Sequence, residues 1–123
     1  GARTLMGHSL GGLFVMLDAL RFGAEGSVFS AHVSASPSVS WSGGALLDDE
    51  AAYAASHADL DTRLVIGTGT LEGTEMNASK AALVGQLRGR AHPSLRITET
   101  DPKAGHMQAA EFIFEDALAE LHP

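Results

Sequence analysis

The chain has 123 residues, of which 45% are hydrophobic and 19% charged; these globular values exclude a disordered tail or a collagen-like fibre. It contains no cysteine, which excludes disulfide scaffolds, thiol nucleophiles and thiolate zinc sites. A net charge of −7, with the eight Lys and Arg residues scattered, argues against nucleic-acid binding. No apolar stretch approaches the roughly 18 residues of a membrane span.

The first residues are Gly1-Ala2-Arg3, without an initiator Met, and a strand-like segment follows at once. We therefore expect residues 1–123 to be a single partial domain of a longer polypeptide. The sequence leaves the localisation open between cytoplasmic, periplasmic and secreted.

The first predicted elements are a strand at residues 4–6 and a helix at residues 9–22. Gly23 is predicted to end this helix, whose apolar stripe consists of Leu10, Leu13, Phe14, Leu17 and Leu20. A second strand at residues 32–35 runs into a Ser-Pro loop, and an Ala-rich helix is predicted at residues 45–57.

The same alternation continues with a strand at residues 63–67, a helix at 76–90, a strand at 95–98 and a helix at 108–121. The last helix has an apolar stripe formed by Ala110, Ile113, Phe114, Ala117, Leu118 and Leu121. Four strands alternating with four helices predict an α/β fold with a parallel sheet and helices on both faces. Reactive groups then belong beyond the carboxyl ends of the strands.

The segment Gly7-His8-Ser9-Leu10-Gly11 matches the pattern G-x-S-x-G between a predicted strand and a predicted helix. A nucleophilic serine needs such a tight turn, and Gly7 and Gly11 would let strand and helix approach closely. The N–H of Leu10, at the start of the helix, would be one oxyanion donor. The alternative is a helix-capping serine with glycines needed only for packing.

A serine nucleophile needs a base, and Gly105-His106 lies between the last strand and the last helix. From there His106 can point back over the sheet edge towards Ser9. A surface loop histidine is the alternative. His8, next to the nucleophile, is predicted to lie beside the site and to bind substrate.

Glu72 follows the third strand and is predicted to orient His106. The order Ser9, Glu72, His106 matches the order serine, acid, histidine of the α/β-hydrolases. Glu75 and Asp101 are alternatives for the acid, and a solvated loop charge is the alternative for Glu72.

Together these segments resemble the C-terminal half of an α/β-hydrolase, most closely the esterase family that includes esterase D and the enterochelin (siderophore) esterases. The resemblance is carried by residues 7–13, 34–41 and 65–72 and by Gly105-His106. The Ser-Pro-Ser loop followed by Trp41 is the most specific of these segments. The resemblance implies that Trp41 contacts substrate, and a core aromatic is the alternative.

The resemblance implies a serine esterase that hydrolyses a small-molecule carboxylic ester through an acyl-enzyme, without a metal or another cofactor. A siderophore-type ester and a short acyl ester are both consistent with it. Some members of the siderophore branch rely mainly on Ser and His, so a dyad without Glu72 stays open. The alternative function is a non-catalytic hydrolase fragment that acts only as a binding or structural module.

Members of this family are considerably longer than this chain, and their first strands and the loop with the second oxyanion donor have no counterpart here. In their sheet, the strand at residues 4–6 is internal. We therefore expect the outer edge along Thr4, Leu5 and Met6 to pair with a missing N-terminal half or with a second chain.

Overall fold

The computed structural model describes residues 2–22 and 26–123 as one four-stranded sheet with four helices. The elements, in chain order, are β1 (Thr4–His8), α1 (Leu10–Phe22), β2 (Ala31–Ala35), α2 (Trp41–Ser56), β3 (Arg63–Gly67), α3 (Thr74–Gly89), β4 (Arg96–Glu99) and α4 (His106–Leu121). The predicted helix end at Gly23 lies outside the described residues. None of the helices described is long and apolar enough to cross a membrane.

The sheet has the strand order β1-β2-β3-β4, and every neighbouring pair is parallel. The register aligns the strand ends, because His8 lies opposite Ala35, Ala35 opposite Gly67, and Ile66 opposite Glu99. All four chain segments that follow the strands therefore leave the sheet along the same edge.

Helices cover both faces of the sheet, as the alternating pattern predicts. Helices α1, α2 and α3 pack on one face around a core that includes Leu13, Met16, Leu46, Tyr53, Leu64, Ile66, Leu83 and Leu87. Helix α4 packs on the other face, where the core consists of Val33, Ala35, Val65, Ala104, Ala109, Ile113 and Ala117. Within β3, Leu64 and Ile66 face the first core and Val65 faces the second, as the two-residue period of a strand requires. The predicted α/β fold is thus confirmed.

The buried faces of two helices differ from the predicted stripes. In α1, Leu10 and Phe14 are exposed, and Met16 is fully buried in their place. In α4, Leu118 is exposed, while Ala109 forms part of the core. Helix periodicity defines a stripe, but the position of the helix over the sheet selects which part of that stripe is covered.

Helix α2 begins earlier than predicted, at Trp41, but its first turn is irregular. Ser42, Gly43 and Gly44 have positive φ angles of 55°, 68° and 81°. Regular helix therefore starts after Gly44, which agrees with the predicted start at residue 45.

Close approach between β1, α1 and β2 depends on two glycines. A Cβ atom on Gly7 would lie 2.2 Å from the backbone oxygen of Gly11, and one on Gly12 would lie 2.9 Å from that of Ala35. A Cβ atom on Gly11 would meet nothing within 4 Å. The prediction that Gly11 is needed for close packing is therefore wrong, and Gly12 has this role instead.

Strand β1 forms one edge of the sheet. Within residues 2–22 and 26–123, no strand pairs with its outer side. Its five residues are only partly buried. Pairing of this edge with another segment stays a prediction.

We predict different effects on stability for two alanine substitutions that lie four residues apart, on either side of the turn at Ser9. Gly7→Ala should lower the free energy of unfolding by about 1–3 kcal/mol, because its methyl group meets backbone that cannot move aside. Gly11→Ala should be neutral or stabilise by up to about 1 kcal/mol, because it fills open space in a helix. Urea unfolding of the full-length natural protein measures both, and equal midpoints for the two variants would contradict this account.

Candidate active site

Three side chains predicted from the sequence lie in one row at the carboxyl edge of the sheet. Ser9 follows β1, Glu72 lies in the loop after β3, and His106 begins α4 after β4. Ser9 Oγ lies 3.1 Å from His106 Nε2. His106 Nδ1 forms a hydrogen bond with Glu72 Oε1 on its other side. Two hydrogen bonds thus connect a serine, a histidine and a buried carboxylate, in that order.

Ser9 lies on a sharp turn between β1 and α1, with a φ angle of 62°. Few non-glycine residues adopt this left-handed conformation, and such strain is common where a side chain must stand clear of the backbone. The Ser9 N–H donates to the backbone oxygen of Ala35 at 2.9 Å. The backbone oxygen of Ser9 accepts from the N–H groups of Leu13 and Ser38, each at 3.1 Å. These bonds hold the turn from both sides.

Leu10 is the first residue of α1, so its N–H has no partner within the helix. This N–H directly follows Ser9 and lies at the positive end of the helix dipole. The position is consistent with the predicted oxyanion donor.

The Glu72 side chain is almost completely buried, with 1% of it exposed to solvent. Its Oε2 atom accepts hydrogen bonds from Ser36 Oγ, at 2.6 Å, and from the N–H of Gly69. Burial acts to raise the pKa of Glu72, but the hydrogen bonds from Ser36, His106 and Gly69 outweigh it and lower the pKa below its ordinary value. The carboxylate therefore stays ionised at neutral pH.

The hydrogen bond to an ionised Glu72 assigns the proton of His106 to Nδ1. The lone pair of Nε2 then faces the Ser9 hydroxyl, which is the arrangement a general base needs.

His8 lies beside His106, with ring centroids 4.5 Å apart and an angle of 39° between the planes. Its Nε2–H donates to the His106 backbone oxygen at 2.8 Å. His8 therefore contacts the backbone of the candidate base.

The two alternative acids lie elsewhere. Glu75 is exposed in the first turn of α3. Asp101 accepts from the N–H of Thr68 at 3.0 Å and forms an ion pair with Lys80 at 3.1 Å. Among the described residues, only Glu72 places a carboxylate within hydrogen-bond distance of His106. No group of three or more histidine and carboxylate side chains in the described ranges is arranged to hold a metal ion.

Trp41 is 58% exposed at the start of α2, so it is not the core aromatic that the sequence left as an alternative. Exposed apolar side chains also adjoin each member of the row. Leu10 follows Ser9, Leu71 precedes Glu72, and Met107 follows His106. Each member of the row thus has an exposed apolar neighbour in the chain.

Sequence analysis did not identify Ser36 and Ser38 as contacts of the row. Ser36 binds Glu72, and Ser38 Oγ lies 3.5 Å from Ser9 Oγ. Both residues could have been identified from their position directly after β2. This strand lies between the strands that lead to Ser9 and Glu72.

No protein-family model matches the chain, and no curated protein matches it in sequence. Several solved structures resemble it. The siderophore hydrolase EstB from Aspergillus nidulans is 21% identical with a TM-score of 0.75, over 94% of this chain and 47% of that one. An IroE-like serine hydrolase from Shewanella oneidensis is 20% identical with a TM-score of 0.80, over 98% and 40%. The enterobactin and salmochelin hydrolase IroE is 26% identical with a TM-score of 0.66, over 97% and 45%.

These likenesses show that the chain has the α/β-hydrolase fold of siderophore esterases, as the resemblance in its sequence predicts. The chain spans less than half the length of each of these structures.

We predict that Glu72 makes stability depend on pH in the acid range. A carboxyl whose pKa is lowered by folding stabilises the folded state above its unfolded pKa, near 4.5, and this contribution is lost as the pH falls through the folded pKa. Thermal melting of the full-length natural protein and of Glu72→Gln, from pH 7 to pH 3, measures the effect. The two melting temperatures should converge as the pH falls, and parallel curves would contradict the assignment.

Proposed function

We propose that the protein is a serine hydrolase that cleaves carboxylic esters through an acyl-enzyme intermediate. The observation that carries the proposal is the row Ser9 Oγ, His106 and Glu72, with 3.1 Å between the hydroxyl and His106 Nε2. The strained turn of Ser9 and the start of α1 beside it support the same function.

In the first step, Ser9 Oγ attacks the ester carbonyl carbon while His106 Nε2 takes the hydroxyl proton. The carbonyl oxygen becomes an oxyanion, which the Leu10 N–H can stabilise. The bond between the carbonyl carbon and the alcohol oxygen then breaks, and His106 gives its proton to the departing alcohol. Throughout, the Glu72 carboxylate stabilises the positive charge on the imidazole.

In the second step, water attacks the acyl group on Ser9, and His106 again accepts a proton. The acyl–Ser9 bond breaks, the carboxylic acid leaves, and the proton returns to Ser9 Oγ. No group besides these side chains and water is needed to balance the reaction.

For the substrate we propose a siderophore-type ester or a short acyl ester. The names of the structural neighbours support the first, since one is a siderophore hydrolase and another an enterobactin and salmochelin hydrolase. The exposed apolar side chains of Leu10, Trp41, Leu71 and Met107 support an ester with an apolar portion beside the carbonyl. The alternative is a binding or structural module without catalysis. Such a module would not account for the hydrogen-bonded row of Ser9, His106 and Glu72.

We predict that Ser9→Ala or His106→Ala lowers the turnover of p-nitrophenyl butyrate by about 10⁴–10⁶-fold, because each removes a group that reacts. Glu72→Gln should lower it by about 10⁴-fold, because His106 loses the anion that sets its proton on Nδ1. The full-length natural protein is the enzyme to assay.

Glu75→Gln is the matched control, because it removes an exposed carboxylate three residues from Glu72. It should keep the turnover of the unaltered protein. Undiminished turnover in Ser9→Ala would contradict the proposal, and the absence of turnover in the unaltered protein would favour the non-catalytic module.

A further inference from the structure

We propose that Ser36 is a positioning residue, whose hydroxyl holds the Glu72 carboxylate against His106. The inference rests on the proposed function of Ser9, Glu72 and His106. It adds a fourth side chain to the row, and this side chain touches neither the substrate nor the reacting atoms.

The hydrogen bonds of Glu72 fix both of its oxygen atoms. Oε1 accepts from His106, and Oε2 accepts from Ser36 Oγ at 2.6 Å and from the Gly69 N–H. Gly69 belongs to the same loop as Glu72, whereas Ser36 approaches from the neighbouring strand end. Besides His106, the Ser36 hydroxyl is therefore the side-chain contact that ties the acid to another strand end.

Ser36 is held firmly enough to have this effect. It is fully buried, and its N–H donates to the Gly67 oxygen at 2.7 Å. Its φ angle is 43°, in the left-handed region where glycine or asparagine is the ordinary choice. Neither the backbone conformation nor apolar packing therefore explains why a serine occupies this buried position.

The loop that carries Ser36 also reaches the nucleophile. Two residues later, the N–H of Ser38 donates to the Ser9 oxygen at 3.1 Å, and Ser38 Oγ lies 3.5 Å from Ser9 Oγ. A single three-residue loop thus contacts the first and last members of the row. This loop therefore links the nucleophile to the acid.

Charge explains why the contact matters for His106. A buried carboxylate must remain ionised while the imidazole is protonated, and a hydrogen-bond donor on the far oxygen favours the ionised form. Without the Ser36 hydroxyl, the carboxylate has one donor fewer, and only the Gly69 N–H then holds its Oε2 atom.

We expect Ser36→Ala to lower kcat by about 10- to 100-fold, the effect of losing one hydrogen bond to a charged group, with KM nearly unchanged. Ser34→Ala is the matched control. Ser34 is a fully buried serine two residues earlier on β2, and its hydroxyl donates to the Gly12 oxygen at 2.8 Å. The control loses a similar hydrogen bond and should keep its kcat. Circular dichroism at the assay temperature establishes that both variants are folded.

A double-mutant cycle separates positioning from a general structural effect. If Ser36 acts through Glu72, Ser36→Ala should have almost no effect on kcat once Glu72→Ala is present. An equal loss of kcat in the Glu72→Ala background would overturn the proposal, as would an unchanged kcat in the single variant.

Proton NMR tests the contact without any substrate. The Nδ1 proton of His106, shared with Glu72, should give a signal far downfield of the backbone amides in the full-length natural protein. In Ser36→Ala this signal should broaden or vanish, because the carboxylate is held less firmly with one donor fewer, and in Ser34→Ala it should persist. A signal unaltered by Ser36→Ala would overturn the proposal.

The two proposals fail in different ways. If Ser9→Ala leaves hydrolysis unchanged, the proposed function is wrong, and the NMR signal still decides whether Ser36 holds Glu72. If hydrolysis depends on Ser9 but not on Ser36, only the role of Ser36 is wrong.

Discussion

Parallel pairing of β1 to β4 in aligned register brings the carboxyl ends of all strands to one edge of the sheet, and the site depends on this alignment. Ser9 and His106 are 97 positions apart in the chain, yet Ser9 Oγ and His106 Nε2 lie 3.1 Å apart. Glu72, from the loop after β3, contacts the other side of the His106 ring. A change that displaced one strand along its neighbour would separate these side chains, even if each loop kept its own conformation.

The sheet also stabilises the strained residues at its edge. Ser9 and Ser36 both have left-handed backbone, a conformation that costs about 1–3 kcal/mol per residue. Each donates its N–H to the last residue of the next strand, Ser9 to Ala35 and Ser36 to Gly67. The hydrogen-bond ladder thus continues beyond the strands and fixes the two turns that carry Ser9 and Ser36. The parallel sheet therefore both stabilises the strained backbone of Ser9 and Ser36 and positions their side chains.

The sequence predicted the alternation of strands and helices, the turn at Ser9 and the strand ends that carry Glu72 and His106, because local periodicity and glycine positions encode these features. It did not predict that Ser36 contacts Glu72, since that contact depends on a positive φ angle at a residue that is neither glycine nor asparagine. The covered side of α1 was also misjudged, with Phe14 exposed, because burial depends on where the helix lies over the sheet.

The most direct test of the central claim is covalent labelling of the full-length natural protein with a fluorophosphonate, read out by peptide mass spectrometry. Such a reagent reacts with a serine only when a neighbouring base activates its hydroxyl. The account predicts a single adduct on Ser9 that is lost in His106→Ala. Labelling of another serine, or equal labelling of Ser9 in His106→Ala, would contradict it.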